Sequence, residues 1–189
     1  MRLTEITIST VEPLDLAETK NHLRVSFAKE DAQILRLITG ARQAFERDTG
    51  RQLITANLNG FLDCFPASSR EFLEIARPPL LAVNSIVYLD TAGAPQTWSS
   101  AEYTVKAFAE PKAKRGEVYP SPDFDWPQIR AIRNAITIDF DAGYGPSASD
   151  VPAEIKDALL GWISYHYIHR EARIVPWPDF DPWRDCGFA

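Results

Sequence analysis

The hydrophobic pattern of this chain changes period twice. It repeats helically near the start, alternates through the middle and turns helical again near the end. Residues 1–13 set Leu3, Ile6, Ile8 and Val11 among Thr, Ser and Glu, which predicts a short extended arm. Asp15 with Glu18 three residues on is a capping-box pattern, and it predicts a first helix from Leu16 to Leu23. Ser26 to Glu30 is a polar connection. Ile34, Leu37, Ile38, Ala41 and Phe45 then fall on one helical face, with Arg36, Thr39, Gln43, Glu46 and Arg47 on the other. This second helix starts at acidic Asp31 and stops at Gly50, as helix-dipole and capping preferences require.

From Leu53 the period becomes two. Ile54, Ala56, Leu58, Leu62 and Cys64 alternate with polar residues, which predicts a half-buried strand with Cys64 on its apolar face. Pro66 to Arg70 reads as a turn and Glu71 to Ile75 as a strand. Pro78-Pro79 interrupts, and Val83 to Leu89 reads as a strand closed by Asp90-Thr91-Ala92-Gly93. Tyr103 to Phe108 and Glu117 to Tyr119 are weaker strand signals, and Ala135 to Phe140 is a strong one. No helix of crossover length separates these segments, so the expectation is an antiparallel sheet or small barrel.

Gly143-Tyr144-Gly145-Pro146 breaks the pattern, and Pro152 opens a last helix running to about His169. One face carries Ile155, Leu159, Trp162 and His166; the other sides still hold Leu160, Ile163, Tyr165, Tyr167 and Ile168. A helix this apolar all round needs cover on more than one side. It is either a central core helix or one shared between the core and a subunit interface. The following stretch, Pro176-Trp177-Pro178-Asp179-Phe180-Asp181-Pro182-Trp183, has too many prolines for regular helix. It is either a frayed end with incidental aromatics or, the favoured reading, an extended docking strap whose aromatics enter pockets on a neighbour, and Asp123-Phe124-Asp125-Trp126-Pro127 has the same character. The fold class is therefore α+β. A small helical core (14–52 and 151–173) carries a β-rich insertion (53–145) and an extended tail (174–189), within one domain of 189 residues.

Composition narrows the function. The apolar share is 45% and the net charge is −6, with 26 acidic and 20 basic side chains. A protein that grips duplex DNA by its phosphates is normally basic, so a DNA-binding regulator is disfavoured; an acidic wall can still surround DNA without holding it. The two cysteines, Cys64 and Cys186, suit a reducing cytoplasm better than a disulfide. No signal core is legible, and no run approaches the roughly 20 apolar residues that span a bilayer.

Candidate chemistry is sparse. His166 and His169 are three apart on a helix and could share a metal ion, but spacing supplies no third ligand. Asp139 with Asp141, and Asp123 with Asp125, are paired carboxylates that more often face solvent. Phosphate-loop, nucleophile-elbow, zinc-protease and paired CxxC motifs are all missing. Arg42, Arg47 and Arg51 could meet DNA or an acidic partner, or form a solvated helix flank with local ion pairs. The reading is of an assembly component with no catalytic residues, no cofactor and no metal. The rival from another class is a small metal-dependent hydrolase using His166, His169 and Asp139 or Asp141.

Several segments, in order, resemble the head–tail connector (adaptor) family of tailed bacteriophages, prophages and gene transfer agents. They are 16–25 (LAETKNHLRV), Asp31 with 34–42 (ILRLITGAR), 45–51 (FERDTGR), 77–80 (RPPL), 83–90 (VNSIVYLD) with Tyr103, 140–145 (FDAGYG), Val151-Pro152, and 158–167 with Arg170. The resemblance implies a virion structural protein at the head–tail junction, made in the host cytoplasm. It implies a homo-oligomeric ring of about twelve copies beneath the portal protein. Such a ring extends the DNA channel, passes DNA without sequence-specific contact, helps retain it, and docks the tail through a tail-completion or stopper protein. A tail-completion or terminator protein is the nearest alternative. The expected subunit and portal contacts are Ile34, Leu37, Phe45, Trp162, Tyr165, Tyr167, Trp177, Phe180 and Trp183.

Overall fold

The computed structural model describes residues 1–7, 10–108, 114–169 and 183–184, with backbone alone for residues 5–7. The described residues form two compact units. One is β-rich and comprises 1–7 and 55–143; the other is helical and comprises 10–54, 144–169 and 183–184.

In the helical unit, α1 spans Leu16–Leu23, α2 spans Asp31–Thr49 and α3 spans Ala153–Ile168. Asp15 caps α1: its carboxylate accepts the Glu18 backbone N–H at 2.6 Å, worth about 1 kcal/mol. The helix closes on Arg24 in the left-handed region (φ 57°), where Arg24 N–H and Val25 N–H donate to the carbonyls of Asn21 and Lys20. Gly50 (φ 72°) ends α2, its N–H donating to the Glu46 carbonyl. Leu14, Ile34, Ile38, Ala41, Phe45, Leu53, Ile155, Leu159, Leu160 and Ile163 make the core. Ile34, Phe45, Ile155, Leu159 and Ile163 have no exposed surface at all. Where α2 meets α3, Gly40 faces the Trp162 ring, which would lie 3.3 Å from a Cβ at that position.

A polar network sits beside this core. Glu46, itself buried, accepts from Arg42 Nη1 (3.1 Å), Leu53 N–H (3.2 Å) and Gln52 Nε2 (3.4 Å). Arg42 also donates to Glu12 through Nε at 2.8 Å. Burial works against the charged guanidinium, but the hydrogen bonds and charges of Glu12 and Glu46 outweigh it and raise its pKa.

The β-rich unit holds two open antiparallel sheets, so the barrel alternative falls away. The larger has the order β1 (Arg2–Thr7), β2 (Ala56–Leu62), β8 (Ile136–Ala142), β4 (Leu80–Leu89), β5 (Pro95–Thr97). The smaller has the order β3 (Leu73–Ile75), β7 (Gly116–Pro120), β6 (Tyr103–Lys106). Alternation decides which residues turn inward: Ile136, Ile138, Phe140 and Ala142 of β8 are all buried, and Ala56, Leu58 and Gly60 of β2 match them. Leu73, Ile75, Tyr103 and Val118 from the smaller sheet join the same apolar cluster. Gly116 permits this approach, because a Cβ there would sit 2.1 Å from Leu80 Cδ2.

Three features add to the sequence expectations or correct them. The N-terminal arm is extended over Arg2–Thr7, as expected, and it also pairs as an edge strand, with Arg2 opposite Phe61 and Leu3 opposite Gly60. Cys64 is exposed, because β2 ends at Leu62 and the chain bends before it. Pro95–Thr97, not anticipated as a strand, pairs with Val87–Leu89. There Asp90 accepts from Ala92 N–H and Ala94 N–H, and these turn bonds bring the short strand alongside.

Candidate assembly surfaces

The last helix resolves into two stripes. Ile155, Leu159, Leu160 and Ile163 form the buried one, so Leu160 and Ile163 belong to the core face rather than to the outer sides. Trp162, Tyr165, His166 and His169 form the second, at spacings of three and four residues. These rings make a ladder. Trp162 and His166 stack with centroids 3.6 Å apart, and Tyr165 lies 5.7 Å from His166 and 4.4 Å from His169. Trp162, Tyr165 and His166 are half-buried and His169 is exposed. His166 Nδ1 lies 2.9 Å from the Trp162 carbonyl oxygen, so that nitrogen carries the proton. Tyr167 points another way and hydrogen-bonds the Glu30 carboxylate. Ile168 is 71% exposed.

The expected contact residues therefore separate. Ile34 and Phe45 are wholly buried in the helical unit, and Leu37 packs half-buried against the same cluster. On α2 the exposed apolar side chain is Leu35, at 49%, which the periodic reading passed over because its neighbours share the other face. Trp162, Tyr165 and Tyr167 keep part of their surface. Trp177 and Phe180 lie outside the described residues.

Trp183 is placed. Its ring packs against the helical core with its centroid 6.0 Å from that of Phe45. Arg51, 5% exposed, donates from Nε to the Trp183 carbonyl oxygen at 2.7 Å and from Nη1 to the Tyr144 hydroxyl at 2.9 Å. Arg51 is thus a binding group inside its own unit rather than part of a solvated flank. Arg47 pairs with neighbouring Asp48, as local ion pairing predicts.

In the β-rich unit Trp126 is no strap. It stacks on Phe65 (5.1 Å, 21°), touches Trp98 (5.4 Å), and donates from Nε1 to the Ser68 carbonyl at 2.9 Å. The neighbouring Phe124 does stay exposed. On the outward face of the larger sheet, Asp139 and Asp141 both accept from Asn57 Nδ2, at 2.6 and 2.9 Å, and Asp139 also accepts from Asn84. Amide donors thus tie the two carboxylates into a polar lattice. His166 and His169 belong to the helical unit and this Asp pair to the β-rich one. Among the described residues, no group of three or more His, Cys, Asp or Glu is placed to hold a metal ion, and no helix is long and apolar enough to cross a membrane.

The first two helices and the strands that follow them have a known counterpart. Residues 13–76 match the family described as Phage gp6-like head-tail connector protein. The resemblance legible in the sequence is thus found again over roughly a third of the chain, from the turn before α1 to just past β3. A comparison with curated proteins returns no match. Solved structures extend the likeness to the whole chain. A chain of the "Virion of native gene transfer agent (GTA) particle" superposes with a TM-score of 0.79 at 23% identity, covering 100% of this chain and 98% of that one. Chains from the "Neck of native GTA particle computed with C12 symmetry" and the "Neck of empty GTA particle computed with C6 symmetry" each give 0.77 at 21% identity with the same coverage. At these identities the likeness is one of fold.

Proposed function

We propose that this chain is a structural head–tail connector of a tailed phage or phage-like particle. It forms a ring of about twelve copies beneath the portal, continues the DNA channel, helps retain the packaged DNA and docks the tail. The observation that carries this reading is the agreement of two comparisons. The connector family matches the helical unit's first half, and the fold of the whole chain is that of chains from GTA particles, two of them necks. The C12 and C6 symmetries in those neck descriptions support a cyclic assembly.

The aromatic stripe of α3 and the exposed Leu35 and Ile168 supply apolar surface for neighbours. A net charge of −6 suits a wall along which DNA slides, since like charge keeps the duplex mobile. Nothing in this role needs turnover, and the chain acts by shape and contact. Deleting the gene tests the proposal. Tailless heads that fail to hold their packaged DNA, and a neck lacking this chain, are the expected outcome. Normal numbers of tailed particles would overturn it.

A further inference from the structure

Gly40 and Gly161 both lie inside helices, and they differ. Gly40 of α2 has its reason within the chain: a Cβ there would lie 3.3 Å from the Trp162 ring. Gly161, in the middle of α3, is exposed, and a Cβ there would meet no atom within 4 Å. A glycine inside a helix costs stability relative to alanine. The chain's own packing does not call for that cost at Gly161. What a missing Cβ allows is close approach of another backbone or side chain, so the group that gains from it lies outside the chain.

Gly161 also sits at the centre of a stripe. Glu154, Asp157 and Ile168 are exposed and Tyr165 is half-buried on the same side of α3, at spacings of three and four residues. This side points away from the buried Ile155, Leu159 and Ile163. In chain direction it runs from acidic to apolar. The outer side of α2, opposite its own buried face, carries exposed Leu35, Arg36, Gln43 and Arg47, and runs from apolar to basic. Glu12, bonded to Thr39 and Arg42, borders this side and leaves those four exposed. Arg47 meets neighbouring Asp48, but its side chain stays 71% exposed, and such a surface pair holds its members weakly.

We propose that the Gly161 side of α3 packs antiparallel on the outer side of α2 of a second copy of this chain. The inference rests on the connector reading and names the two surfaces that meet within that assembly. Charge and spacing together favour a copy as occupant. With Gly161 laid opposite Gln43, Asp157 comes opposite Arg47, and Glu154 lies within a turn of that arginine. At the other end Tyr165 and Ile168 come beside Leu35 and Arg36, which sets apolar groups together and a guanidinium beside a ring. Asp157 to Ile168 and Arg36 to Arg47 are both steps of eleven residues, about 17 Å of helix. The register that matches charges at one end therefore matches apolar groups at the other, and the glycine falls between, where the two helices come closest. Each copy carries both stripes, so the contact can repeat from copy to copy.

Charge exchange in the full chain tests the pairing. Asp157→Arg and Arg47→Asp each bring like charges together and should weaken association in sedimentation velocity at least about tenfold. An equimolar mixture of the two variants should recover it, because α3 of each then meets the opposite charge on α2 of the other. Gly161→Leu should weaken association as much, yet melt no lower than wild type in dilute solution where copies are single, since the new side chain meets nothing in its own chain. No recovery in the mixture would overturn the pairing, and so would wild-type association of the Gly161→Leu chain. A lower melting temperature for single Gly161→Leu copies would place the role of the glycine inside one chain and overturn it too, as would a wild-type chain that stays single at high concentration. Copies that recover by charge exchange but stop at two would count against the connector reading and leave the helix pairing standing. A Gly161→Leu chain that still closes a collar on a portal would do the reverse.

Discussion

The two units are both rich in aromatic residues and use them in opposite ways. In the β-rich unit Phe65, Trp98, Tyr103 and Trp126 pack on one another with centroids 5.0–5.6 Å apart, and all four are buried. In the helical unit Trp162, Tyr165, His166 and His169 stack along one side of α3 and keep part of their surface in solvent. The first set completes a core between two sheets. The second lies on a helix whose inward stripe is already filled by Ile155, Leu159, Leu160 and Ile163. Aromatic content alone does not mark a docking surface; the contrast lies in whether the chain's own layers cover the rings.

The largest effect should come from breaking the covered set. Trp126→Ala removes the ring stacked on Phe65 and the hydrogen bond to Ser68; the chain should lose about 3–5 kcal/mol of stability in equilibrium urea unfolding. Breaking the buried Glu46 network comes next. Glu46→Ala leaves Arg42 with only Glu12 from this network and the Leu53 N–H without its carboxylate, and the same assay should show a loss of about 3 kcal/mol. An exposed apolar position on the same helix should respond in the reverse way. Ile168→Asp, at a position 71% exposed, should move stability by less than about 0.5 kcal/mol while weakening association in sedimentation velocity. An Ile168→Asp chain that assembles like wild type would remove that side of α3 from the interface.

The smallest effect is a titration on the central strand of the smaller sheet. A hydrogen bond to the Glu117 carboxylate, helped by desolvation and by the charge of Glu117, pushes the Tyr119 hydroxyl up to about 12. An unfolded tyrosine ionises near 10. Between those values the unfolded chain holds fewer protons than the folded one. The contribution of the neutral hydroxyl is therefore complete below about pH 10 and is lost as pH rises toward 12. Ultraviolet difference spectra should show one tyrosine ionising late, and Glu117→Gln should return it toward the ordinary range.

Much of this was legible in the sequence. Asp15 and Gly50 marked helix ends because capping is local chemistry, and the alternation in β2 and β8 assigned faces because one side of a sheet needs apolar residues. The pairing of residues 2–7 was not legible for the converse reason: an edge strand is defined by its partner, β2, more than fifty residues away. Cys64 misled because alternation was carried past the bend after Leu62. Trp126 looked like strap because a loop aromatic between prolines and acids carries no sign of the Phe65 ring it will meet. Arg51 was visible only as a charge after a helix. Its role depends on Tyr144 and Trp183, 93 and 132 positions further on, which no local spacing connects.

The central claim is that this chain closes a ring on a portal. The most direct measurement is electron microscopy of the purified chain mixed with the portal ring of its own particle. The account predicts a cyclic collar of about twelve copies stacked coaxially on the portal, with the α3 aromatic stripe covered by neighbouring protein. Single, dispersed copies beside bare portals at high protein concentration would contradict it.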